Sequence, residues 1–162
     1  MATAARIPTV PPEVQIFLDA VKGKSGQHPY AALLGLKTYD TPALHQRVKA
    51  GLSFAALEKL RRTLDLPTGT VAEVLHIPAR TIHRRKKEGR LDPDESDRLL
   101  RLSRLVGAAI QLFEGDIQAT RSWLHAPLPA LGGATPIALA ETEPGALEVE
   151  ALIGKLEHGI FV

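Results

Sequence analysis

The chain contains no cysteine, few aromatic residues and no long apolar run. Because there is no cysteine, a disulfide, a zinc–thiolate site and a cysteine nucleophile are all excluded. No apolar run approaches the ~20 residues that a membrane-spanning helix needs. The first residues also lack the apolar stretch of a secretion signal. We therefore expect a cytoplasmic protein with no membrane partner.

Aromatic residues make up only 4% of the chain, whereas hydrophobic residues make up 44%. A packed core must then be built from Leu, Ala, Val and Ile. That composition, with few runs that resemble strands, favours helices over a sheet. At 162 residues the chain is long enough for one domain, or for two small domains that share a core. The sequence predicts an all-α fold.

A catalytic or metal-binding constellation is also missing from the sequence. No two histidines have the H-x-x-H or H-x-x-x-H spacing that sets two metal ligands on one helical face. No serine lies in a G-x-S-x-G turn. Glu157 and His158 are neighbours, but adjacent helical residues point about 100° apart and do not form a dyad. We expect no enzyme activity, no cofactor and no metal.

The net charge of +2 hides two parts of opposite sign. Residues 1–109 hold 18 Lys and Arg against 11 Asp and Glu, whereas residues 110–162 hold 2 against 7. The first part suits a polyanion such as DNA, and the second would be repelled by it. This division predicts two different partners.

Residues 68–90, with the sequence TGTVAEVLHIPARTIHRRKKEGR, have the pattern of a helix-turn-helix. The first helix is predicted over residues 68–75. Pro78 suits the start of the second helix, and Gly89 supplies its stop signal. Residues 80–90 carry six basic side chains against one acid, so the second helix cannot be a buried core helix. Such a helix suits the major groove of DNA.

The predicted DNA-binding side chains all lie on this second helix. Thr81 and Arg84 are three residues apart, so they share a face that reaches a groove. Arg85 and the lysines are expected to hold phosphates, and His83 suits either role. A merely solvated charged face is the alternative interpretation. Because one short helix reads few bases, specific binding should require a homodimer. The predicted contacts are Arg80, Thr81, His83, Arg84, Arg85 and Lys87.

Helical periodicity and capping residues divide the chain into three parts. Residues 1–50 are interpreted as an N-terminal helical region with a mobile, proline-rich arm at its start. Residues 51–113 hold the helix-turn-helix and a long connecting helix, which Asp92 and Glu95 open with a capping box. Apolar residues on more than one face of that helix predict burial on two sides and favour a dimer interface. Residues 114–162 form a small helical C-terminal domain.

The last predicted helix of this domain buries Val149, Leu152 and Leu156 on one face. Gly159 permits a left-handed turn at its end. The apolar end of the chain lies past that turn, where a monomer would tend to expose it. The alternative is that this end folds back onto its own helix. The single tryptophan, Trp123, is expected in the core.

A long motif with coherent spacing lies at residues 132–161. It combines a double glycine followed by T-P-x-x-L, an acidic turn with T-E-P-G-A, and a closing L-E-H-G-I-F. The run closely resembles the C-terminal domain of the Xre/MbcA/ParS antitoxins. The helix-turn-helix and the long helix after it resemble the Xre-type DNA-binding part of the same proteins. Together the resemblance covers roughly residues 53–162.

This resemblance implies an antitoxin of a type II toxin–antitoxin module. The usual partner in this family is a RES-class toxin that depletes cellular NAD⁺. The C-terminal domain covers the toxin's active-site entrance, and the helix-turn-helix represses the shared operon. The alternative function is a stand-alone helix-turn-helix transcription regulator whose C-terminal domain dimerises or senses a ligand. The toxin-binding residues that we expect are Glu157, His158, Gly159, Ile160, Phe161 and Val162.

Overall fold

The structure, a computed structural model, describes residues 9–159, and α-helices dominate that range. Strand pairing between these residues is limited to one antiparallel bridge that joins Ser53 to Arg90. The all-α prediction is confirmed. Two 3-10 helices span Pro29–Leu34 and Pro129–Leu131. The α-helices are α1 (Pro12–Lys22), α2 (Thr41–Ala50), α3 (Phe54–Leu64), α4 (Thr68–Val74), α5 (Ala79–Glu88), α6 (Pro93–Leu112), α7 (Ile117–Leu124), α8 (Pro136–Leu139) and α9 (Glu143–Glu157).

Side-chain caps set where most of these helices begin. In α3, α6, α7, α8 and α9 a Ser, Thr or Asp oxygen accepts a hydrogen bond from the backbone N–H three residues further on. Each such bond satisfies one of the four N–H groups that the first turn leaves unpaired. The predicted capping box at the start of α6 is confirmed, since the Asp92 and Glu95 side chains each accept the other's backbone N–H. Local sequence therefore fixes where these five helices begin.

Helix α6 lies at the centre of the core. Leu99, Leu105, Val106 and Ile110 are completely buried, and Leu102 is 1% exposed. The helix packs against the first 3-10 helix and against α2, α7 and α9. The predicted burial on two sides is confirmed for the single chain. One hydrophobic cluster runs from α1 to α9, so the helix-turn-helix and the C-terminal helices share a core.

Ion pairs also join α6 to α9. Arg101 lies 3.2 Å from Glu143, and Arg104 lies 3.0 Å from Glu143 and 2.6 Å from Glu150. Burial by itself would lower the pKa of Arg104, but its hydrogen bonds to Glu150 and Glu143 raise that pKa above the ordinary value. The two arginines thus hold the acidic side of α9 against the core helix.

Two side chains that the sequence places in the core, Leu156 and Trp123, are only partly buried. Leu156 is 37% exposed rather than buried, because the last turn of α9 extends past the elements that cover Val149 and Leu152. Trp123 is only half-buried, and its ring packs against Phe113 at a centroid distance of 6.1 Å. The predicted proline-rich arm lies mostly outside the described residues.

The glycine of the T-E-P-G-A turn explains one constraint on the C-terminal domain. Gly145 is buried in the first turn of α9, where a Cβ would overlap the Leu139 carbonyl oxygen at the end of α8. We predict that Gly145→Ala lowers the free energy of unfolding by roughly 1–3 kcal/mol, a typical cost of overpacking. Gly154→Ala, in the same helix, meets no atom within 4 Å of its Cβ. It should raise the free energy by up to about 1 kcal/mol, because alanine favours helix. Urea unfolding of both variants measures this, and equal midpoints would contradict it.

Candidate nucleic-acid interface and partner-binding domain

The turn between α4 and α5 is compact and tied to the core. His76 adopts a left-handed conformation with φ 54°, and the Ile77 N–H donates to the Ala72 carbonyl at 2.8 Å. Arg98 of α6 donates from Nε to the Leu75 carbonyl at 2.7 Å. The two helices therefore form the predicted helix-turn-helix, and α6 holds their turn from behind.

The exposed face of α5 is a stripe of basic side chains at helical spacing. Ile82 is buried and points inward. The i, i+3, i+4 and i+7 positions on the opposite side of the helix are all exposed. We call these four residues the basic stripe, and they are Arg80, His83, Arg84 and Lys87. Thr81 is half-buried at one edge of the stripe. Five of the six predicted DNA-binding residues thus lie on or beside one open surface.

Arg85 is placed differently from the other five. Its side chain is 15% exposed and lies 2.8 Å from the nearer Glu95 oxygen and 3.1 Å from Asp92. A third carboxylate, that of Glu88, is 3.3 Å away. The hydrogen bonds to Glu95 raise the pKa of the Arg85 guanidinium above its ordinary value. Arg85 is therefore surrounded by carboxylates, which does not fit its sequence-based grouping with the lysines that are predicted to bind phosphate.

Glu95, which binds Arg85, is also the capping-box residue that the sequence predicts. Glu95 was predicted from its position in the capping box, and its carboxylate does accept the Asp92 N–H at 3.0 Å. Its side chain is only 5% exposed. A buried carboxylate needs a cation or several donors nearby. The arginines of α5, the helix just before Glu95, are the nearest source of that cation in the sequence, and Arg85 is one of them.

No group of three or more His, Asp or Glu side chains among residues 9–159 is arranged to hold a metal ion. Within the same range, no helix has the length and apolar character needed to cross a membrane.

The end of α9 carries the described part of the predicted toxin-binding residues. Glu157 and His158 are exposed, and His158 Nδ1 donates to the Gly154 carbonyl at 2.6 Å. Gly159 has φ 69°, the left-handed conformation that the sequence predicted at this position. The chain therefore turns off the helix axis at Gly159. Ile160, Phe161 and Val162 lie outside the described residues.

An apolar groove that sequence reasoning missed lies beside this helix end. Its volume is about 190 Å³. The exposed Leu156 side chain and the half-buried Trp123 ring both line it. No local pattern predicts it, because α7, the second 3-10 helix and α9 each contribute only one or two residues. The lining residues are Trp123, Leu128, Pro129, Ala130, Leu152 and Leu156.

Known proteins match both parts of the chain. Residues 43–104 match the family model of the antitoxin Xre-like helix-turn-helix domain. Residues 108–159 match that of the antitoxin Xre/MbcA/ParS C-terminal toxin-binding domain.

Relatives match over most of the chain. An antitoxin Xre of Yersinia enterocolitica is 37% identical over 79% of this chain and 87% of its own length. One from Photorhabdus laumondii is 31% identical over 91% of this chain and 99% of its own. A protein named Prs ADP-ribosylating antitoxin, from a Sphingobium species, is 27% identical over 70% of this chain and 77% of its own length. The resemblance noted in the motif at residues 132–161 is confirmed, and the chain belongs to the Xre family of type II antitoxins, which join a helix-turn-helix to a C-terminal toxin-binding domain.

Proposed function

We propose that this antitoxin neutralises a RES-class toxin that consumes NAD⁺ and represses its own operon through α5. The observation that carries the proposal is the division of surfaces: an exposed basic stripe on α5, and an acidic C-terminal part with an apolar groove. The relative whose name refers to ADP-ribosylation supports the cofactor class, because that reaction takes ADP-ribose from NAD⁺. The match to a toxin-binding domain favours this function over a stand-alone regulator.

The proposed DNA contacts follow from the geometry of the basic stripe. Arg84 and the neighbouring Thr81 are assigned to base edges, since they lie near the middle of the helix on adjoining faces. Arg80 and Lys87 lie towards the two ends of α5 and are assigned to phosphates. His83 suits either contact. A homodimer would present two such helices and double the number of bases read.

The proposed toxin interface combines the end of the chain with the groove beside it. Glu157 and His158 are exposed at the end of α9, directly after Leu156 of the groove, and residues 159–162 follow them in the sequence. Apolar and aromatic side chains carry most of the binding energy at the centre of protein interfaces. An apolar side chain of the toxin would fill the groove while the end of the chain covers the active-site entrance. The antitoxin and its toxin are proposed to bind each other in the cytoplasm.

Co-expression tests the proposed function directly. Each reading frame next to the gene is expressed alone and with this chain, and cellular NAD⁺ is measured. A neighbouring frame that lowers NAD⁺ alone, keeps it normal with this chain and co-purifies with it is the expected result. If the co-purifying partner leaves NAD⁺ unchanged, the antitoxin role stands and the RES assignment is wrong.

A phosphate contact on the basic stripe should be detectable from salt dependence. Lys87→Ala should reduce the slope of log K against log salt by about 0.9, because one fewer counterion is released from duplex DNA. Lys155→Ala removes the same charge from α9 and serves as the control. Fluorescence anisotropy with a labelled duplex from upstream of the gene gives both slopes. Equal slopes for the two variants would remove Lys87 from the interface.

The end of the chain is tested by deletion of residues 159–162. The shortened chain should fold, because the deleted residues follow α9, and a thermal melt checks this. Its affinity for the toxin should fall at least about tenfold, as expected when a hot-spot residue is removed. Biolayer interferometry with immobilised toxin measures the loss. Undiminished affinity would place the interface on the helices before Gly159.

Two exposed leucines of α9 form a matched pair for the groove. Leu156 is 37% exposed on the groove wall, and Leu147 is 52% exposed on the opposite face of the helix, nine residues away. Leu156→Ser should weaken toxin binding by roughly 1–2 kcal/mol, the transfer free energy of a partly buried leucine. Leu147→Ser should leave it unchanged. Calorimetric titration compares them, and a larger loss for Leu147→Ser would assign the toxin to the other face.

A further inference from the structure

The planar guanidinium of Arg85 joins α5 to the start of α6 through several hydrogen bonds. Its Nε lies 2.8 and 3.0 Å from the two Glu95 oxygens, and its Nη2 lies 2.9 Å from one of them. The same Nη2 donates to Asp92 at 3.1 Å. Contacts made by several donors of one rigid fork fix the direction as well as the distance between two groups. The orientation of α5 about its own axis is therefore coupled to α6.

Glu95 cannot move without disturbing the beginning of α6. One of its oxygens accepts the Asp92 N–H, while its own N–H donates to Asp92 at 2.8 Å. Its side chain is 5% exposed, so water offers it little alternative solvation. The carboxylate that holds Arg85 is thus itself held in place by the capping box. This makes the pair a rigid connection rather than a surface ion pair.

We propose that Arg85 does not contact DNA but is the positioning residue that sets the angle of the basic stripe against the major groove. This inference rests on the proposed function of α5 as the DNA-reading helix. If Arg85 swung out to a phosphate, Glu95 would be left buried with its charge uncompensated. Removing one partner of a buried ion pair has a large free-energy cost, because the other charge stays buried and unpaired. The other basic residues of α5 are exposed and reach phosphates without that loss.

Two variants separate positioning from contact. Glu95→Gln preserves an oxygen for the capping box, since glutamine serves there as well as glutamate, but it removes the bidentate acceptor. Arg85→Lys preserves the positive charge, which is enough for a phosphate contact but cannot form the fork. Asp94→Asn is the matched control, because Asp94 is exposed in the same first turn of α6 and has no ion-pair partner among residues 9–159.

The full-length chain and its variants are titrated against labelled duplexes from the region upstream of the gene, and against a scrambled duplex of equal length. Circular dichroism melts confirm that each variant folds. We expect Glu95→Gln and Arg85→Lys to lower the ratio of specific to non-specific affinity about tenfold, comparable to the loss of one base contact. Affinity for the scrambled duplex and its salt slope should stay as in the unchanged chain, because no contacting charge is removed. Asp94→Asn should change neither quantity.

Four results would overturn the proposal. If Glu95→Gln binds the preferred duplex as well as Asp94→Asn does, the pair does not orient α5. If Glu95→Gln binds both duplexes more tightly with a steeper salt slope, freed Arg85 is a phosphate contact. If either single variant unfolds, the double variant Arg85→Gln with Glu95→Gln replaces it, because it leaves neither of these two charges buried. An unchanged ratio of specific to non-specific affinity in the double variant would also contradict the proposal. If the unchanged chain prefers no upstream duplex, the proposed operon repression fails, and this inference fails with it.

Discussion

Burial of α6 is the constraint on which the rest of this protein depends. Full burial of one leucine or valine contributes about 1.5–3 kcal/mol, and four large apolar side chains of this helix are completely buried. The family match for the DNA-binding domain ends at residue 104 and the match for the toxin-binding domain begins at 108, so both boundaries lie within α6. No flexible linker separates the two functions. Helix α5 is instead joined to the start of α6 through Arg85, and α9 is joined to the middle of α6 through Arg101 and Arg104.

Much of this architecture follows from local sequence. Helix starts at Ser53, Asp92 and Asp116 were readable because a capping side chain bonds to its own chain three residues away. The helix-turn-helix was readable for the same reason, since Pro78 and Gly89 act on the backbone of their immediate neighbours. The burial of α6 was readable from apolar residues on several faces. These features need no knowledge of what lies across the core.

The parts that sequence did not reveal depend on distant neighbours. Arg84 and Arg85 are adjacent and chemically identical, yet one is exposed and the other is enclosed by carboxylates, because Glu95 approaches only one side of α5. Leu156 continues the apolar stripe of Val149 and Leu152, but among residues 9–159 its side chain remains 37% exposed. The groove at that turn combines residues from three elements. Helical periodicity gives the face of a side chain, whereas the packing partner decides whether that face is buried.

Ion pairs inside the protein change what the charge asymmetry of the sequence means. A count of Lys and Arg over residues 1–109 treats every basic residue as available to DNA. Arg85, Arg101 and Arg104 are instead paired with carboxylates inside the protein, and Glu143 and Glu150 of α9 are two of those partners. Paired charges add little to the potential outside the molecule, because the opposite charge lies within a few ångströms. The basic stripe of α5 differs from these arginines, because its side chains are exposed and the ion pair that Arg84 makes with Glu88 at 3.6 Å is itself at the surface. The potential of this stripe depends on exposed side chains, whereas its proposed orientation depends on Arg85, which is enclosed by carboxylates.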